Sequence, residues 1–75
     1  MSILQNVRLL KKMHGYLNRK STGTPENFAH RLGISESTLY RIFQELNDEG
    51  ITTKFDSLLA SYYYEGDLDI LSLFK

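Results

Sequence analysis

The apolar pattern of this chain changes period at Gly50, and that change constrains the fold more than any other feature. Before it, apolar residues recur every three or four positions, as on one face of a helix. After it, Ile51, Thr53 and Phe55 alternate with Thr52, Lys54 and Asp56, and Ala60-Ser61-Tyr62-Tyr63-Tyr64-Glu65 supplies a second short run of strand-forming residues. The chain is therefore mainly α with one small β-hairpin. With 75 residues it is a single domain spanning positions 1–75.

Three helices are expected, over about residues 3–19, 25–32 and 35–49. In the first, Ile3, Val7, Leu10 and Leu17 form a stripe that Leu4, Met13 and Tyr16 widen, with Arg19 and Lys20 placed to favour its C-terminal end. In the second, Thr24 is the expected N-cap, Pro25 takes the first helical position, Phe28, Ala29 and Leu32 face inward, and Gly33 ends the helix. In the third, Ser35 caps, Leu39, Ile42, Phe43 and Leu46 form the buried stripe, and Gly50 closes. The hairpin covers about residues 51–65 with its turn around Asp56-Ser57. Tyr62 and Tyr64 share one face and Tyr63 takes the other; the face with two aromatics is expected to be the inner one, which makes Tyr62 and Tyr64 core rather than base-stacking residues. Gly66 breaks the second strand. Residues 67–75 carry Leu68, Ile70, Leu71, Leu73 and Phe74, a pattern that fits either a third strand or a short helix. So apolar a segment either packs on the domain or meets another chain, in which case residues 67–74 would form a homodimer contact.

Nine basic and nine acidic residues give zero net charge, which at first weighs against nucleic acid. The charges are segregated, however. Residues 1–44 hold seven basic and two acidic residues, a net +5, and residues 45–75 hold two basic and seven acidic ones, a net −5. Cysteine is absent, so disulfides and thiolate metal sites are excluded. His14 and His30 lie on different helices, and no Ser-His-Asp order, glycine-rich phosphate loop or nucleophile elbow is present, so neither an enzyme nor a cofactor is expected. The longest apolar runs are two or three residues, too short to span a membrane, and Gln5, Asn6 and Arg8 interrupt any apolar signal core. The expected location is the cytoplasm.

A short helix, a glycine-containing turn and a longer helix make a helix-turn-helix unit, and a hairpin directly after it is the wing of a winged helix. The run Thr22-Gly23-Thr24-Pro25-Glu26, then Ala29, Leu32, Ile34-Ser35, Ser37-Thr38-Leu39-Tyr40-Arg41, Leu46 and Gly50-Ile51, resembles the winged helix-turn-helix domains of bacterial transcription regulators. It is similar to the small stand-alone versions and to the N-terminal domains of DeoR-type repressors. Ser61-Tyr62-Tyr63-Tyr64 looks like the second wing strand of such proteins, and the resemblance covers about residues 3–65. Asp56 and Leu58-Leu59 depart from it, since many members carry a basic or glycine-rich wing loop.

The resemblance implies sequence-specific binding of double-stranded DNA by a transcriptional regulator, with the third helix in the major groove. With Leu39, Ile42, Phe43 and Leu46 inward, the outer face holds Glu36, Ser37, Tyr40, Arg41 and Gln44, with Ser35 and Thr38 at the entry. Arg41 suits a guanine edge or a phosphate and Gln44 an adenine. Ser35, Ser37, Thr38, Thr24 and Arg31 would reach phosphates, and Lys54 would do so from the wing. Lys11, Lys12, Arg19 and Lys20 read as a solvated helix face. The acidic Glu45, Asp48 and Glu49 should lead away from the groove, whereas Glu36 sits awkwardly close to it. Few phosphate contacts forecast weak, salt-sensitive binding by one chain. The rival reading is a winged-helix module that binds protein instead, for which zero net charge, Glu36, the acidic wing tip and the apolar C-terminal segment speak.

Overall fold

In the computed structural model, which describes residues 6–74 (for Phe74 the backbone alone), three helices precede an antiparallel hairpin and a short 3-10 turn. Helix α1 spans Val7–Asn18, α2 Pro25–Leu32 and α3 Glu36–Asp48. Strands β1, Thr52–Asp56, and β2, Ser61–Glu65, pair with Lys54 opposite Tyr63 and Phe55 opposite Tyr62. The 3-10 turn covers Ile70–Phe74.

The caps anticipated from the sequence are made. Thr24 Oγ1 accepts from Asn27 N at 3.3 Å, and Ser35 Oγ accepts from Thr38 N at 3.1 Å. Gly33 ends α2 at φ +72°, a left-handed conformation that costs glycine little. One cap was not anticipated: Asn6 Oδ1 accepts from Leu9 N at 3.1 Å. Asn6 therefore stands before α1 rather than inside it, because a side-chain carbonyl satisfies a first-turn amide that helix continuation would leave open. Ile3 and Leu4, placed on the inward stripe, lie outside the described residues. Val7, placed there too, is 41% exposed. It sits in the first turn, where Leu10, Met13 and Leu17 carry the burial and Leu9 and Tyr16 flank them. Arg19 and Lys20 follow the last turn of α1 instead of occupying it.

Phe28, Ala29, Leu32, Leu39, Ile42, Leu46, Ile51 and Ile70 complete the buried core, with Phe43, Tyr62, Tyr64 and Leu73 among those partly buried against it. Phe28 sits at its centre, with ring centroids 6.0 Å from Tyr16, 6.2 Å from Phe43 and 6.1 Å from Tyr62. Tyr62 and Tyr64 thus take the inner face of the hairpin as expected. Ala60, read as a strand residue, belongs instead to the turn at φ +49°, because Asp56 Oδ1 accepts from both Leu58 N (2.8 Å) and Leu59 N (3.2 Å) and closes the chain over residues 57–60.

The C-terminal segment packs on its own domain. Ile70 is fully buried, and its N–H donates to the Tyr64 hydroxyl at 3.4 Å while that hydroxyl shares a 2.9 Å hydrogen bond with His14 Nδ1. One tyrosine thereby ties α1, β2 and the 3-10 turn together. Burial pushes the Tyr64 hydroxyl up to about 12, with the Ile70 amide opposing and the Asp69 carboxylate adding to the rise. A pKa above the usual 10 means the folded state favours the neutral phenol. The stability that Tyr64 contributes is fully present below pH 10 and is lost as the pH climbs toward 12. The urea midpoint should fall across that window, and Tyr64→Phe should flatten the fall. An unchanged alkaline slope in the variant would contradict the assignment.

Candidate nucleic-acid interface

Two hydrogen-bonded junctions fix the arrangement of this surface. Thr22, two residues before the cap of α2, is buried against Ser61, the first residue of β2. Thr22 N donates to Ser61 Oγ at 3.0 Å, and Tyr62 N donates to Thr22 Oγ1 at 2.8 Å. The next residue, Tyr62, lies against α3, its ring centroid 4.7 Å from that of Phe43. Burial raises the Tyr62 hydroxyl above the usual tyrosine range. The Tyr40 hydroxyl, hydrogen-bonded to it, and the Glu36 carboxylate push it the same way. The segment leading into α2 and the hairpin-facing side of α3 therefore both meet the first two residues of β2, directly beside the hairpin tip.

On α3 the outward residues divide into two stripes. Ser37, Arg41 and Gln44 stand at i, i+4 and i+7 and are exposed. Among the described residues, none of these three side chains has a hydrogen-bond or ion-pair partner. Glu36, Tyr40 and Phe43 form the second stripe, turned toward the hairpin. Sequence elimination grouped Tyr40 and Glu36 with Arg41. The structure separates them: Tyr40 faces Tyr62 of β2 although it remains 50% exposed, and Glu36 stands one turn before it on the same side of α3.

The remaining candidates are placed as follows. The Ser35 hydroxyl donates to Thr38 Oγ1 at 3.0 Å while capping Thr38 N, so these two hydroxyls are engaged with each other at the helix start. Thr24 is exposed at the start of α2. Arg31 is not with them: its guanidinium lies 5.8 Å from the Tyr16 ring, which Arg19 also covers at 5.7 Å. Lys54 also stands apart. Strand alternation puts it on the face opposite Phe55 and Tyr62, where it pairs with Glu65 at 3.5 Å. Asp48 and Glu49 lie at the far end of α3 from Ser35.

Sequence reasoning took the hairpin tip only as a departure from the resemblance and, for its acidic charge, as support for the protein-binding rival. Leu58 is 95% exposed there, and Leu59 and Phe55 are also open to solvent. The signal was available in the apolar pair itself, sitting in a turn. No family model matches the chain, and neither do curated proteins or solved structures. Among the described residues no helix is long and apolar enough to cross a membrane.

Proposed function

We propose that the protein is a winged helix-turn-helix transcriptional regulator, acting in the cytoplasm, that binds double-stranded DNA with α3 in the major groove. The observation that carries this reading is the exposed stripe of Ser37, Arg41 and Gln44 on α3, without partners among the described residues. The Arg41 guanidinium is free to take a guanine edge by two parallel hydrogen bonds, and the Gln44 amide an adenine edge. Ser37, Thr24 and the open N–H groups at the starts of α2 and α3 would hold phosphates. Ser35 and Thr38 would shape that start more than touch DNA, since their hydroxyls bond each other. Lys54 would contribute little, its charge being offset by Glu65.

Titration of labelled genomic fragments at two salt concentrations tests the reading. Arg41→Ala should cost about 1–3 kcal/mol of binding and relax specificity at one base pair. Wild-type protein that binds no fragment at low salt, or an Arg41→Ala variant with unchanged affinity and unchanged salt slope, would refute it. A second reading, a protein-binding module, is favoured by the exposed apolar tip at Leu58 and Leu59. Under it, Leu58→Asp would abolish partner binding while Arg41→Ala left it intact.

A further inference from the structure

Of the seven cations in residues 1–44, three lie over tyrosine rings: Arg19 and Arg31 on Tyr16, and Lys20 on Tyr63. Arg41 belongs to the α3 stripe. The remaining three, Arg8, Lys11 and Lys12, are exposed on α1, and the structure divides them. Arg8 and Lys12 line a cleft of about 310 Å³ with Leu9, Leu32, Gly33 and Ile34, and Lys11 does not. Gly33 and Ile34 form the turn between α2 and α3, and Ser35, the cap of α3, follows directly. The cleft therefore adjoins the start of α3, although both cations come from another helix. They are badly placed for α1 itself. Arg8 stands in the first turn, where the helix dipole disfavours positive charge, and no acidic residue shares that turn. Lys12 stands four residues on, where the two like charges repel. Neither side chain has a hydrogen-bond or ion-pair partner among the described residues. Leu9, Leu32 and Ile34 in the same cleft reduce the screening that water provides. A local conflict of this kind is expected at a functional site, and the ligand that resolves this one is an anion.

We infer that Arg8 and Lys12 hold a backbone phosphate of the duplex whose major groove receives α3. The inference rests on the DNA reading of α3 and extends the contact to α1. Charge complementarity selects an anion, and the position beside the start of α3 selects the polyanion that α3 would enter. Phosphates carry no sequence information, so this contact would set affinity and register and leave base choice to Arg41 and Gln44.

Binding of the chain to labelled genomic fragments, followed across a range of salt concentrations, gives the test. Arg8→Gln and Lys12→Gln should each lower the slope of log affinity against log salt by about one. Each should weaken every bound fragment by the same factor and leave base preference unchanged. Lys11→Gln, on the same helix but outside the cleft, should keep the wild-type slope. Circular dichroism checks that each variant retains its helices. A wild-type slope in either cleft variant, or an equal drop in Lys11→Gln, would overturn the inference and leave the DNA reading standing. So would a poly-glutamate peptide that binds the wild-type chain and is lost by the cleft variants while duplex binding is untouched, since the cleft would then serve an acidic protein. A wild-type chain that binds no fragment at low salt would remove the DNA reading and this contact with it.

Discussion

Phe28→Ala is expected to leave the chain largely unfolded at room temperature. The ring is fully buried and stands against Tyr16 of α1, Phe43 of α3 and Tyr62 of β2, so one side chain joins both other helices and the inner strand to α2. Removing a buried phenylalanine costs ~3–5 kcal/mol, made up of lost transfer energy and of the cavity left behind. A single core of this size supplies only about 3–5 kcal/mol in total, so the loss is comparable to the entire stability. Urea unfolding followed by circular dichroism measures the effect. Phe28→Leu, which keeps most of the volume, should retain a cooperative transition. A loss below about 1 kcal/mol in the alanine variant would show that the aromatic cluster tolerates the cavity and that the core is held elsewhere.

Thr22→Val is expected to be the next most damaging change, although valine has nearly the same shape. Thr22 Oγ1 accepts from Tyr62 N, donates to the Gly23 carbonyl at 2.9 Å and lies 3.2 Å from Ser61 Oγ, with Thr22 and Ser61 both buried. Valine would leave the Tyr62 amide without its acceptor, at a cost of ~1–3 kcal/mol. Thr22→Ser keeps the oxygen and should recover most of it. Amide exchange should quicken first at Tyr62, because its partner is gone while the hairpin ladder persists. An unchanged Tyr62 exchange rate would mean that water or backbone movement replaces the hydroxyl.

The parts of this fold readable in the sequence are those set within a few residues. Thr24, Ser35 and Gly33 mark helix ends by hydrogen bonds that span three residues or by a local backbone conformation, and α2 appears where its pattern places it. The hairpin was readable from the aromatic alternation at Tyr62 and Tyr64. Less was readable where distant partners decide. Nothing near Ser61 in sequence says that it will be buried, because its partner Thr22 is 39 positions away. Tyr40 and Arg41 look equivalent on a helical projection, and only Tyr62, reached through the hairpin, separates them. The C-terminal segment remained divided between strand and helix because its burial depends on Tyr64 and α1. In the candidate interface, the stripe of Ser37, Arg41 and Gln44 followed from spacing alone. The distance of Lys54 and Arg31 from that stripe required the strand register and the ring of Tyr16.

The hydrogen bond between His14 and Tyr64 spans 50 positions, and the core residue Ile70 lies further along still. On a ribosome, α1 would emerge early and wait for the groups that cover it. Helices of twelve residues are marginal in isolation, so α1 should stay largely unwound until β2 and residue 70 are free of the exit tunnel. Closing so long a loop is entropically costly and is repaid only when the final contacts form. Acquisition of structure during synthesis should then be abrupt rather than gradual, with no stable intermediate built from the three helices alone.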